Sequence, residues 1–290
     1  MRILFASDLH GRQAAYDELA DLSRNLHPDI LILGGDLLPA GRPAAELLKS
    51  QKHFASHAFR QFLAGLRDAG GIRVFALAGN YDLAAAFLEL KNLEDDHFSV
   101  FLSAGSGSLD RGLRLVYSPF VPPTPFPPKD FERLDIPDDA PAGQPPQGLL
   151  TWSGKVEAVE PDDHFKSKKS IQEELQALPV PAGKERTIAV FHSPPHGTGL
   201  DRLYSGAQVG SRAVRRWIEE TQPLVSLHGH IHESPDVSGI WAERIGATLA
   251  VNPGQNQPGV CAVFLDAENP GGILHSTRGR LRDTGTGRRP

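Results

Sequence analysis

Cysteine occurs once in the 290 residues, at Cys261, so no disulfide can form within the chain. Cys261 lies in the apolar run Val260 to Leu265 and reads as a small buried hydrophobe. Long apolar stretches are also missing, and no run approaches the ~18 residues of a membrane span. Arg2-Ile3-Leu4-Phe5-Ala6 is strand-like from the start, with no signal-peptide hydrophobic region before it. Positive charge is not in excess either. The formal net charge is −5, which argues against broad nucleic-acid binding, because that relies on phosphate neutralisation by Lys and Arg. These deficits point to a cytoplasmic location and to no membrane partner. No internal repeat is visible. The rest of the composition is that of an ordinary globular protein, with 40% hydrophobic and 22% charged residues. A chain of this length can bury about 75% of its unfolded surface.

The first third alternates. Arg2–Ser7, Asp29–Leu33 and Arg73–Ala78 are strand-like, while Ala14–Leu26, Ala44–Ala69 and Leu83–Leu90 have helical spacing. This βαβαβα order predicts parallel strands with right-handed crossovers. From Ser99 to Tyr117 short strands separated by Gly-rich turns suggest a second, more antiparallel sheet. Pro119–Gln147 is about one-third proline and cannot build a regular sheet or helix, since each proline removes a donor and fixes φ. It reads either as a surface excursion packed by its own prolines or as a rim over a site, the former slightly ahead. Ser167–Leu178 predicts a helix, Thr187–Phe191 a strand, and Ser211 an N-cap for a helix to about Glu220. Leu224–Leu227 predicts another strand, and Thr248–Val251 and Val260–Leu265 are expected to close the second sheet. The Arg- and Gly-rich tail from Arg278 is expected to fray.

Five short motifs follow strand-like runs: Asp8-Leu9-His10, Gly34-Gly35-Asp36, Gly79-Asn80-Tyr81-Asp82, Phe191-His192-Ser193 and Gly229-His230-Ile231-His232. Sites in open α/β folds lie outside the carboxyl ends of strands, so these loops can converge. Asp8 and His10 are two apart at a strand end and can reach one ion. A mixed carboxylate and imidazole set suits Mn, Fe or Zn rather than Ca. The two oxygens of Asp36 can bridge two cations about 3.5–4 Å apart. Gly34 and Gly35 let the backbone turn tightly beside the ions. Asn80 adds a neutral carbonyl oxygen, and His230 and His232 can serve different metals.

In this order the motifs resemble the calcineurin-like metallophosphoesterase superfamily, over Asp8 to His232. The stretch Phe191 to Asp201 and Asn252-Pro253-Gly254 look like a bacterial and archaeal subgroup of small phosphoesterases. The resemblance implies a four-layer α/β/β/α sandwich, two mixed sheets face to face with helices outside. Residues 1–277 would form one domain with the Pro-rich excursion 119–148, and 278–290 a flexible basic tail. It also implies that Asp8, His10, Asp36 and His232 hold one divalent metal and that Asp36, Asn80, His192 and His230 hold a second, with manganese first and iron or zinc as alternatives. A hydroxide bridging the ions would be the nucleophile. The third motif commonly reads Gly-Asn-His followed by an acidic residue, the histidine protonating the leaving oxygen. Here Tyr81 stands at that position, a phenol with pKa near ~10 that can donate a hydrogen bond but is a poorer proton shuttle than imidazole.

Other residues carry two readings each. Asp82 either orients Tyr81 or caps the helix from Leu83, the cap being favoured. His196 and Asp201 either touch substrate or are polar surface. Arg12 either pairs with a phosphate or is solvated. His228 either supports the metal loop or packs, and Trp152 either lines a pocket for a ring or belongs to the core. A single loop histidine is more often satisfied by backbone, but four in register with two aspartates and an asparagine favour a metal centre. The expected function is metal-dependent hydrolysis of a small-molecule phosphoester, phosphodiesters first, with Tyr81, Asp82 and His196 as catalytic candidates. Phosphomonoester or nucleotide pyrophosphate hydrolysis is the alternative, as is a non-catalytic scaffold such as the retromer subunit of this fold. Oligomeric state is open, a homo-oligomer included.

Overall fold

A computed structural model describes residues 1–41, 43–68, 70–140, 143–179 and 186–280. The chain opens as expected, with β1 (Arg2–Ala6), α1 (Gln13–Leu26) and β2 (Ile30–Leu33). A long helix follows, from α2 (Ala44–Phe54) through a π-helical turn (Ala55–Phe59) into α3 (Arg60–Asp68). After it come β3 (Arg73–Leu77), α4 (Ala84–Lys91) and β4 (Phe98–Phe101). β1 to β4 pair in parallel, as a strand-helix alternation requires.

The chain then crosses to a second sheet with β5 (Gly105–Ser108) and β6 (Arg114–Ser118). Beyond the proline-rich excursion come a small ribbon, β7 (Gly148–Leu150) and β8 (Glu157–Val159), and two short helices, α5 (Pro161–Lys166) and α6 (Ile171–Gln176). β9 (Thr187–Phe191), α7 (Arg212–Thr221), β10 (Val225–Leu227), α8 (Ser234–Ser238), β11 (Ala242–Ile245) and β12 (Thr248–Val251) continue the second sheet and its cover. β13 (Ala262–Asp266), β14 (Asn269–His275) and β15 (Gly279–Arg280) return to the first. Among the described residues the sheets run β15-β14-β13-β1-β2-β3-β4 and β11-β12-β10-β9-β6-β5.

Strand alternation builds the four layers. Ile3, Phe5, Ile30, Ile32, Phe75 and Leu77 face Leu115, Ile188, Val190, Val225, Leu227 and Val251 of the other sheet in one core. Their neighbours Leu4, Ala6, Leu31, Leu33, Val74 and Ala76 point the other way, under the helices, with Tyr16, Leu19, Phe59 and Phe87. Each fully buried Leu, Ile or Phe contributes roughly 1.5–3 kcal/mol. On the outer face of the second sheet, α7 buries Ala213, Val214, Trp217, Ile218 and Thr221, one stripe of a 3.6-residue period. Ser211 caps it, accepting from the Val214 amide.

Five expectations are corrected. β4 joins the first sheet, parallel to β3, and β13 pairs antiparallel with β1 instead of closing the second sheet. The helix expected over Ser167–Leu178 starts only at Ile171, because Ser170 and Glu173 form a capping box that fixes the N-terminus there. Arg278 is not frayed; it pairs with Asp236, and Gly279–Arg280 is a short strand on β14. The remainder of the tail, 281–290, lies outside the described residues.

The fifth correction concerns the excursion. Among the described residues it contains no regular element between Ser118 and Gly148, yet much of it is buried: Val121, Lys129, Asp130, Phe131, Glu132, Arg133 and Asp135 are buried. Two carboxylates fasten it. Asp130 accepts from the Ala84 amide at the start of α4 and from Thr151. Asp135 accepts from the Arg212 amide and the Ser211 hydroxyl at the start of α7. Negative charge is favourable at helix N-termini, so the excursion is tied to helices on both outer faces. Among the described residues, no helix is long and apolar enough to cross a membrane.

Candidate metal centre

Five parallel strands, β1, β2, β3, β9 and β10, deliver their C-terminal loops to one edge of the sandwich. The first two loops stay paired beyond the sheet, with the Asp8, His10 and Gly11 amides donating to the carbonyls of Gly35, Asp36 and Leu37 at 2.9 Å each. The Gly229 amide donates to the His192 carbonyl at 3.0 Å, joining the two loops of the second sheet. Asp8, His10, Asp36 and His230 all have positive φ, at 58°, 48°, 53° and 65°. A left-handed conformation outside glycine costs of order 1–3 kcal/mol per residue and persists only where the surroundings impose it. Here it turns each side chain into the same space.

Asp8, His10 and Asp36 bring ligand atoms within 4.8 Å of one another. Asp36 Oδ2 lies 3.9 Å from His10 Nε2 and 3.6 Å from His192 Nε2, between the two imidazoles. Its other oxygen, Oδ1, accepts the Tyr81 amide at 2.7 Å, which fixes the carboxylate plane. Asp8 accepts the His230 amide across the sheets at 3.0 Å. The ring of His232 sits 5.9 Å from that of His10, and the ring of His230 5.4 Å from that of His192. The histidines thus form two pairs with Asp36 between them.

Among the described residues, three buried atoms of this cluster have no hydrogen-bond partner: His10 Nδ1, Asn80 Oδ1 and His192 Nε2. Leaving such atoms unpaired is costly, so a group that satisfies them belongs there. His192 Nδ1 lies 2.8 Å from the Gly34 carbonyl and must donate to it, which turns Nε2 toward Asp36. That is the orientation a metal-ligating histidine takes, its far nitrogen held by a carbonyl. The donor set of carboxylates, imidazoles and one amide oxygen fits divalent transition metals.

Burial pushes the Asp36 carboxyl up, but the facing His192 and His10 and the Tyr81 amide outweigh it and hold it well below the usual carboxylate range. For His192 burial works downward, and the charge of Asp36 overcomes it to give about 9. His230 is driven to about 3, first by burial and then by His192. Two imidazolium ions cannot sit side by side, so one of the pair stays neutral. Close approach requires glycine beside Asp36 and His192. A Cβ on Gly79 would fall on Asp36 and 2.6 Å from His192 Nε2, and one on Gly35, with φ at 108°, would strike the His192 ring.

A cleft of about 340 Å³ opens above these groups. It is lined by His10, Asp36, Asn80, His230 and His232, and by Tyr81, Pro122 to Phe126, Leu203, Val209, Ile231 and Glu233. The excursion therefore does form a rim. The Tyr81 ring meets His10 edge-on at 5.7 Å and Phe126 at 5.2 Å. Burial, then the charges of Asp36 and Glu132, push its phenol up to about 12, so it stays protonated.

Asp82 neither caps α4 nor orients Tyr81. The N-cap of α4 is Leu83, without a side-chain bond. Asp82 is buried and accepts the amides of Leu37, Leu38 and Gly79, at 3.0, 2.8 and 3.0 Å. It clamps the loop after Asp36 to the loop before Asn80. His196 does not line the cleft. It is 40% exposed and pairs with Asp201 at 3.3 Å, while Asp201 accepts the amides of Gly197, Thr198 and Gly210 within its own loop. Arg12 donates to the Leu9 carbonyl and Trp152 packs on Phe131, both away from the cleft. His228 packs as favoured: Nδ1 donates to the Phe191 and Ser193 carbonyls and Nε2 accepts from Ser226. Asn252 has a role that sequence reasoning missed. Its amide donates to the Leu200 and Ile231 carbonyls at 3.0 and 3.1 Å and so pins the His230–His232 loop. The only signal for it was the Asn252-Pro253-Gly254 motif itself.

The sequence model of the calcineurin-like phosphoesterase family matches residues 1–234. One solved crystal structure is 18% identical with a TM-score of 0.60, over 94% of this chain and 97% of the other. TT1561 of Thermus thermophilus is 18% identical with a TM-score of 0.51, over 97% and 99%. A dimetal phosphatase from Danio rerio is 11% identical with a TM-score of 0.53, over 97% and 96%. At these identities the likeness is one of fold. No curated protein sequence matches the chain.

Proposed function

The chain belongs to the calcineurin-like phosphoesterase family, and from this membership and the converging ligands we propose that it hydrolyses a small-molecule phosphodiester with two divalent transition-metal ions, manganese first and iron or zinc as alternatives. The observation that carries the proposal is Asp36 Oδ2, set between His10 and His192 amid three buried atoms without partners. Asp8, His10, Asp36 and His232 would hold one ion, and Asp36, Asn80, His192 and His230 the other. Bound there, the pair supplies a hydroxide nucleophile at neutral pH and neutralises charge on the phosphoryl oxygens.

The chain's own groups set the geometry. The Tyr81 amide orients Asp36, the Gly34 carbonyl orients His192, and the Asp8 carboxylate holds the His230 backbone. The Tyr81 phenol, beside His10 and protonated, donates a hydrogen bond to the leaving oxygen. An imidazole there would transfer the proton more readily, so good leaving groups are favoured. The acidic net charge supports a small molecule over nucleic acid. The proposed location is the cytoplasm, supported by the single, buried cysteine.

Protein purified without chelator and loaded with Mn, Fe or Zn should hydrolyse bis(p-nitrophenyl) phosphate faster than p-nitrophenyl phosphate or a dinucleoside pyrophosphate. Preference for either of the latter would replace the diester reading. Metal uptake without turnover of any of them would favour a non-catalytic scaffold.

A further inference from the structure

The cleft wall is uneven in chemistry. One end carries the metal-ligating groups; the rest is Pro122 to Phe126, Tyr81, Leu203 and Val209. Among the described residues that line it there is no lysine or arginine, and the one acid beyond the metal cluster is Glu233. A second phosphate on a ligand would find no cation and would face a carboxylate. Tyr81 and Phe126, with ring centroids 5.2 Å apart and planes inclined by 50°, form an aromatic corner, and Phe126 is 43% exposed. Aromatic groups pack against such corners in tilted and edge-on arrangements. The volume of about 340 Å³ falls in the range of small-molecule sites, about 300–1,000 Å³.

The strap that carries Phe126 is held by an unusual device. Lys129 and Glu132 are fully buried and paired at 2.7 Å. Lys129 Nζ also donates to the Thr124 carbonyl at 2.7 Å, and Glu132 accepts the Thr124 amide at 3.0 Å and the Thr124 hydroxyl. Every polar atom of Thr124 is thus engaged by the pair, and the Val121 amide and carbonyl are paired with Phe131 and Arg133. A buried ion pair is poor evidence for stability and is better explained where it fixes a conformation. Here the conformation fixed is that of the cleft wall.

We propose that the cleft selects a phosphoester bearing one uncharged planar ring, seated on the Tyr81–Phe126 corner, and that the Lys129–Glu132 pair is the positioning device for that corner. The substrate class rests on the phosphoesterase reading; the ring site itself can be tested by binding alone. The probes are methylphosphonate, phenylphosphonate and (4-carboxyphenyl)phosphonate, titrated calorimetrically into the manganese-loaded protein. Phenylphosphonate should bind about tenfold or more tighter than methylphosphonate, as burial of a ring implies. The carboxylated ring should lose most of that gain.

In Phe126→Ala the phenyl-to-methyl ratio should fall toward one. In Lys129→Met, with the fold checked by circular dichroism, it should fall as well, whereas a group that only stabilises the fold would leave the ratio alone. Equal affinity for the two phosphonates in the wild type, or an unchanged ratio in Phe126→Ala, overturns the inference, as does failure of either phosphonate to bind. Hydrolysis of bis(p-nitrophenyl) phosphate, assayed on the same preparation, decides the phosphoesterase reading separately.

Discussion

Asp82→Ala is the perturbation with the most direct structural ledger. The carboxylate accepts three buried backbone amides, from Leu37, Leu38 and Gly79, and among the described residues none of them makes a hydrogen bond to another group. An orphaned buried donor costs about 1–3 kcal/mol, so three imply roughly 3–9 kcal/mol. Relief of the cost of burying a carboxyl beside Asp36 offsets part of this, which places the expected loss near the lower end, about 3–5 kcal/mol. Against a typical total of about 5–15 kcal/mol, the variant should fold but unfold at markedly lower urea. Asp82→Asn keeps one acceptor oxygen and should lie between the two. Since the clamp joins the residues flanking Asp36 to those flanking Asn80, manganese affinity should fall along with stability. The assay is urea unfolding of metal-free protein, followed by metal titration of the folded variant. A loss below about 1 kcal/mol in Asp82→Ala would refute the clamp, because that is the least a single orphaned amide costs.

Two further outcomes are expected. Tyr81→His should flatten the dependence of log kcat/KM on leaving-group pKa, since a general acid is worth about 10²–10⁴-fold; coincident slopes at equal metal content would remove Tyr81 from the leaving-group position. His228 is held at about 4 in the folded protein, by burial first, against about 6.5 in the unfolded chain. The unfolded state therefore takes up the proton first, and the stability His228 contributes is full above pH ~6.5 and lost as pH falls toward ~4, about 3 kcal/mol in all. His228→Gln should show a correspondingly shallower decline of unfolding free energy over that interval, and parallel curves would contradict the assignment.

The parallel core was legible because Ile30-Leu31-Ile32-Leu33 and its counterparts are apolar on both faces, which only a doubly covered strand needs. The meeting of Asp8, His10 and Asp36 at one edge was legible for a related reason: side chains directly after such strands have one edge to occupy. Sheet membership of β4 and β13 was not legible. β13 pairs with β1 across nearly the whole chain, and no local pattern specifies a partner so far away. Lys129, Asp130, Glu132 and Arg133 read as surface by composition, and their burial depends on helix N-termini and a threonine that only the fold brings near. Asp82 was misread for the same reason, since two of its three amides come from a loop 44 and 45 residues earlier.

The central claim is that two ions share Asp36. Equilibrium dialysis of chelator-stripped protein against manganese, with metal per chain counted by elemental analysis, tests it most directly. The wild type should bind two ions per chain and His192→Ala one, and Asp36→Asn should bind weakly at both positions. A wild type that saturates at one ion or none, or an Asp36→Asn variant that binds two ions as tightly as the wild type, would contradict it.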